Sequence, residues 1–288
     1  MIRLKGEKIM SINRKIKYSK IILTTIMMLF ALTMVIPFLW MISSSFKIEN
    51  DVFAFPIQWI PRKWNLINNY RTVWGSQYNF GLYYFNSIKV TLLTTFFQVA
   101  ISAMAGFAFA KLDFKFKNAL FLLFLATMMI PDQVTIVPQF MILNQLNLYD
   151  THAGLILICS FSIFGIFFLR QYMISIPDSI MEAAKIDGAS YLTIFFKIVL
   201  PVSKPALATL AILKFVWTWN DYMHPLIFLS SQSLFTVQIG IKSFVTDFSS
   251  DYALMMAAAV SATLPLIIVF LIGQRNIIEG ITSGAVKG

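Results

Sequence analysis

Glu182-Ala183-Ala184-Lys185-Ile186-Asp187-Gly188 is followed by Ala189 to Lys197 and then by Ile198-Val199-Leu200-Pro201. This polar, turn-containing stretch lies between two strongly apolar ones. Pro177 suits a helix start, where its missing N–H is no loss. Ile180, Met181 and Ala184 then fall on one helical face. Asp187-Gly188 ends that helix, because glycine takes the left-handed conformation at little cost. Ser190 is placed to cap a second short helix running toward Lys197. Helices of about two to three turns are marginal alone, so this pair is expected to dock against something. Ala183 and Ala184 leave a shallow surface that another backbone could approach.

The flanking sequence sets the context. The chain has 288 residues, of which 58% are hydrophobic and only 12% charged, and its mean hydropathy is +0.74. Several long apolar runs in such a composition predict an all-α protein that crosses a membrane repeatedly. The net charge of +10 is not a nucleic-acid signature, because the basic residues sit beside apolar runs rather than forming a stripe of their own.

Six spans are expected, at about 21–45, 85–110, 118–136, 153–173, 201–222 and 252–273, with the polar loop occupying 174–200. Pro37 and Pro265 are expected to kink the first and last. The first run is too long for the apolar core of a cleaved signal peptide. Residues 46–84 hold Pro56, Pro61, Trp59, Trp64, Tyr70 and Trp74 and read as an outer-face loop, serving as a docking surface or an interfacial anchor. Basic residues crowd the N-terminus, the Lys111–Lys117 loop, the 174–200 loop and the tail. Segments on the other side carry only Lys47, Arg62, Lys63, Arg71, Lys89 and Lys242. The asymmetry predicts both termini and the polar loop in the cytoplasm. With no internal repeat or appended soluble segment, 1–288 reads as one membrane domain.

Catalytic and metal signals are weak. No Gly-x-x-x-x-Gly-Lys-Ser/Thr phosphate loop occurs, so ATP binding by this chain is not expected. Cys159 is the only cysteine, and His152 and His224 lack a partner at ligand spacing, so no metal site is expected. The segment Trp217-Thr218-Trp219-Asn220-Asp221-Tyr222, with Lys214 nearer the middle of the same span, offers two readings. A charge at a helix centre costs roughly 2.5–3.5 kcal/mol on insertion scales and so faces an interior or a wet cavity. Lys214, Trp217, Trp219, Asn220, Asp221 and Tyr222 could therefore line a substrate pathway, the polar groups bonding hydroxyls and the rings stacking on a sugar. Equally, the rings could belong to the interfacial belt, with Asn220-Asp221 ending the helix. Lys214 and Asp221 share a face about two turns apart, too far for a direct ion pair.

The spacing Glu-Ala-Ala, three residues, Gly, nine residues, Ile-x-Leu-Pro from Glu182 to Pro201 resembles the cytoplasmic loop of ABC-importer permeases that depend on an external binding protein. Trp219-Asn220-Asp221-Tyr222-Met223-His224-Pro225-Leu226, the tail from Arg275 to Gly288, and Phe55-Pro56-Ile57-Gln58-Trp59-Ile60-Pro61 are similar to segments of sugar-uptake permeases, most closely the maltose-type second permease subunit. The resemblance implies that Glu182, Ala183, Ala184, Asp187, Gly188, Ile198, Leu200 and Pro201 couple the chain to an ATPase. It further implies a second, homologous permease subunit and two ATPase subunits that bind ATP and Mg²⁺. An extracytoplasmic solute-binding protein, a sugar cargo and a bacterial-type cell membrane complete the expectation. A phosphorylated polyol or another small solute is the alternative cargo. An ion-coupled secondary transporter would need ionisable groups in paired halves, and Lys214 has no counterpart. An intramembrane enzyme would need acid, histidine or metal clusters within the spans.

Overall fold

A computed structural model of the protein describes residues 2–244 and 251–285, with side chains described for 20–244 and 251–276. Residues 286–288 of the expected inner tail and Asp247 of the expected outer loop lie outside them. All regular elements among the described residues are helical. That outcome suits a lipid solvent, in which each backbone polar group needs a partner within its own segment.

Helix α1 (Ile2–Ser45) runs through Pro37 without a break. Its stretch Lys20–Ser45 has a mean hydropathy of 2.4, and none of that apolar window is buried within the protein. The chain then folds back over the end of α1. Asn69, on α2 (Leu66–Trp74), donates to the carbonyls of Ser45 at 2.9 Å and Lys47 at 2.8 Å. Lys47 is fully buried, its Nζ 3.9 Å from the centre of the Trp40 ring.

Helix α3 (Phe80–Lys111) is the central element, against which most of the other long helices pack. It is long and apolar enough to span, with a buried face of mixed chemistry: Ser87, Thr91, Thr94, Gln98 and Ser102 are all buried. The expected third span, 118–136, is not one rod. Helix α4 (Lys117–Thr127) stops, and α5 (Asp132–Gln145) leaves it at 101°. The residue before a proline is pushed out of the helical region, and here Ile130-Pro131 ends the run. Eleven residues rise only about 16 Å, well short of the ~30 Å hydrocarbon core.

Helices α6 (His152–Cys159) and α7 (Ile163–Ile174) form the fourth apolar stretch, bent by 45°. Ser162 restarts the helix by accepting the Gly165 N–H at 3.2 Å. A Cβ on Gly165 would stand 2.4 Å from Ser102 Oγ and 2.7 Å from Gln98 Nε2. Only a glycine allows α3 and α7 to approach this closely. After the polar loop come α8 (Asp178–Ile186) and α9 (Tyr191–Val202), then α10 (Lys204–Trp219). The short α11 (Met223–Phe228) and α12 (Val237–Lys242) precede α13 (Tyr252–Ala285), which continues through Pro265. Three helices are long and apolar enough to cross a membrane alone, and up to six spans result if each bent pair counts as one.

Candidate functional site

The polar loop is built much as its residues dictate. Pro177 supplies the extended residue before α8, and Asp178 sits in its first turn, where the helix dipole favours a carboxylate. Gly188 closes α8 at φ +82°. Its N–H bonds to the Lys185 carbonyl and that of Ala189 to the Ala184 carbonyl, both at 2.9 Å, which is the Schellman pair. Ser190 then caps α9, accepting the Thr193 N–H at 3.2 Å. From Phe195 to Val199 the helix widens into a π turn. Pro201 cannot donate back along the helix, and the Leu200 N–H reaches instead to the Phe195 carbonyl.

One side of this loop is docked and the other is bare. Met181, Ile194, Phe195 and Val199 are buried in a cluster with Ala103 and Phe107 of α3, Leu169 and Met173 of α7, and Ala206 and Leu210 of α10. Ala184, Ile198 and Leu200 pack at its margin. At roughly 1.5–3 kcal/mol per buried large apolar side chain, four such residues outweigh the weak intrinsic stability of the short helices. On the far side Ile186 is 87% exposed and Leu192 70%. Glu182, Ala183, Asp187, Gly188 and Pro201 are exposed with them. Ile180, expected on the same helical face as Met181 and Ala184, remains 43% exposed.

A salt bridge fastens the loop at its entry. Lys111, the last residue of α3, has its side chain buried; its Nζ donates to Asp178 Oδ1 at 2.7 Å and also to the Ile176 carbonyl. The hydrogen bond and charge of Lys111 hold the Asp178 carboxyl below the usual carboxylate range. Charge counting had assigned Lys111 to a membrane side and missed this contact, because its partner is distant in sequence. Arg170 of α7 behaves similarly, donating to the Phe109 carbonyl at 3.2 Å and lying 4.0 Å over the Phe121 ring.

The fifth-span residues do not converge on one surface. Trp219 is a correction to both sequence readings, as neither a pathway nor a belt residue. It is 1% exposed, stacks on Phe215, and donates from Nε1 to the Ala262 carbonyl at 2.9 Å, joining α10 to α13. An indole needs a partner for its N–H when buried, and α13 supplies one. Trp217 is half exposed, against Phe164. Asn220 is exposed and bonds back to the Val216 carbonyl at 2.9 Å, closing the helix end. Tyr222 lies under Lys242, whose Nζ is 5.6 Å from its ring centre. Lys214 is partly buried, and no ion pair joins it to Asp221 among the described residues.

Asp221 turns instead toward His224, accepting the His224 N–H at 3.2 Å and meeting Nδ1 at 2.8 Å. Cys159, at the end of α6, completes a cluster whose three donor atoms all lie within 4.8 Å of one another. Sequence spacing could not reveal it, because Cys159 comes from a different helix.

These geometries have counterparts. The family model for the binding-protein-dependent transport system inner membrane component matches residues 98–283, which include the whole polar loop. The chain is 33% identical over 270 residues to the arabinooligosaccharides transport system permease protein AraQ of Bacillus subtilis (strain 168), covering 93% of this chain and 96% of that one. It is 35% identical over 240 residues to the sn-glycerol-3-phosphate transport system permease protein UgpE of Pectobacterium atrosepticum, covering 81% and 85%. Among solved structures, a bacterial ABC transporter involved in the import of the acidic polysaccharide alginate matches with a TM-score of 0.79 at 25% identity, covering 90% of this chain and 96% of that one. By sequence and by fold, the chain belongs to the inner-membrane components of binding-protein-dependent transport systems.

Proposed function

We propose that this chain is one of two homologous transmembrane subunits of an ATP-driven importer for a sugar, most readily an oligosaccharide, and that loop 174–200 is the part through which an ATPase subunit drives it. The observation that carries this reading is the two-sided loop: an inner face buried against α3, α7 and α10, and an outer face bare at Ile186 and Leu192. A surface that is rigidly backed and unfilled in front suits a partner's cleft. The asymmetry of basic residues supports a cytoplasmic loop and cytoplasmic termini. Relatives named for arabinooligosaccharides and for lactose favour a sugar as cargo. On this reading two ATPase subunits bind ATP and Mg²⁺, and an extracytoplasmic binding protein delivers the solute. Nucleotide-driven closure then shifts the permease between discrete packings that open to opposite sides.

A second cargo has its own support. The UgpE relatives are named for sn-glycerol-3-phosphate, and the partly buried ammonium of Lys214 would suit a phosphate. Calorimetry of the transporter's binding protein with oligosaccharides and with polyol phosphates decides between the two.

The coupling role is tested in proteoliposomes holding the complete transporter. The Glu182→Lys, Gly188→Val double variant is expected to lose binding-protein-stimulated ATP hydrolysis and uptake together, while still assembling in the membrane. Undiminished uptake rejects the assignment. Labelling an Ile186→Cys protein in oriented vesicles checks sidedness, and reaction with an impermeant maleimide from the outer side overturns it.

A further inference from the structure

The cluster of Cys159, Asp221 and His224 lies outside the loop 174–200. Its three donor atoms lie within 4.8 Å of one another. Cys159 and Asp221 line a cavity of about 10 Å³ together with Thr218 and Thr236, close to the space one water molecule needs. The hydroxyls of Thr218 and Thr236 are buried there without a hydrogen-bond partner, and Thr236 is only 5% exposed. A buried hydroxyl left unpaired is costly, and two such residues lining one small cavity call for an occupant that can bond them.

We propose that Cys159, Asp221 and His224 form a binding site for a thiophilic divalent transition-metal ion, zinc being the best fit. A thiolate and an imidazole exclude magnesium and calcium, which take oxygen ligands. Three protein donors leave the fourth tetrahedral position for water, and the Thr218 and Thr236 hydroxyls stand at the same cavity to bond it. Charge balances as well. A thiolate and a carboxylate neutralise a dication, leaving a complex without net charge, as a low-dielectric setting requires. Zinc bonds of about 2.0 Å to nitrogen or oxygen and about 2.3 Å to sulfur place tetrahedral donors roughly 3.3–3.6 Å apart. The cluster therefore closes by about 1 Å at its widest, while the Asp221–His224 contact of 2.8 Å opens slightly. The ion would tie the end of α6 to the turn between α10 and α11, two segments that no hydrogen bond joins among the described residues.

The test uses the intact transporter in nanodiscs, titrated with Co²⁺ as the spectroscopic probe. Because Cys159 is the chain's only cysteine, a thiolate-to-cobalt charge-transfer band in the near ultraviolet that disappears in Cys159→Ser reports this site directly. That band is expected, and Zn²⁺ should bleach it. His224→Gln and Asp221→Asn should each weaken Co²⁺ binding at least about tenfold. No band in the unmodified protein overturns the proposal without recourse to any variant, and marks the cluster as a polar contact only. A band that survives Cys159→Ser belongs to a partner subunit and overturns it too, as does one indifferent to both His224→Gln and Asp221→Asn.

Discussion

Gly188 offers the cleanest separation of backbone strain from contact. It holds φ +82°, and a Cβ built there meets nothing within 4 Å. Any penalty for substitution therefore arises from the dihedral alone, about 1–2 kcal/mol for a residue bearing a β-carbon and more for a β-branched one. Asparagine is enriched in the left-handed region, so the larger Gly188→Asn side chain should cost less than Gly188→Ala, and Gly188→Val most. The amides of Gly188 and Ala189, bonded at 2.9 Å to the Lys185 and Ala184 carbonyls, report the cap. A destabilisation of about 1–2 kcal/mol multiplies their opening equilibrium roughly 5–30-fold. Hydrogen exchange on peptides spanning 184–194 of the reconstituted transporter measures this, with the order Gly, Asn, Ala, Val from slowest to fastest. If exchange instead rises with side-chain size, so that Asn opens faster than Ala, the cost lies in a clash and the dihedral argument fails.

Other outcomes follow from the same geometry. Trp219→Ala should lower stability by about 3–5 kcal/mol through the cavity and the lost bond to Ala262, whereas Trp217→Ala, at a half-exposed ring, should cost under about 1 kcal/mol; thermal unfolding in nanodiscs compares them, and equal effects would contradict the burial. Gly165→Ala should cost about 1–3 kcal/mol by overpacking against Ser102 and Gln98, and adding Ser102→Gly should recover part of it in the same assay. Asp178→Asn should cost at most about 1 kcal/mol, since the carboxylate is largely exposed. Because its folded pKa is depressed, the Lys111–Asp178 contribution is complete above the unfolded carboxylate value and fades only as pH falls through the lower folded one. Exchange around Ile176 should therefore show no loss from this pair between pH 8 and 5, and a loss within that window would refute the depressed pKa.

The loop was the most legible part of the sequence. Pro177, Gly188 and Ser190 act through local backbone chemistry, and local chemistry is written in neighbouring residues. Apolar runs likewise disclosed the membrane-crossing segments, since hydrophobicity over such a window depends little on tertiary detail. Direction changes were harder to see. Pro131 falls inside the expected third span, and nothing local sets a 101° turn there rather than a mild kink; Pro37 and Pro265 sit inside continuous helices. Trp219 could not be placed because its partner, the Ala262 carbonyl, belongs to a helix whose facing side is settled only by packing. The same holds for Lys111 with Asp178 and for Cys159 with Asp221 and His224, all pairings between distant parts of the chain.

The socket beneath the loop is walled by three separate rods, α3, α7 and α10. A thrust on Ile186 or Leu192 is therefore shared at the point of entry and cannot tilt one rod while its neighbours stay still. Lys111 adds a salt bridge between the rim and α3, so a push transmitted through the proposed coupling loop would reach all three together. α1 does not border that socket; it meets α13 instead, so it receives such a stroke second-hand, as a trailing edge.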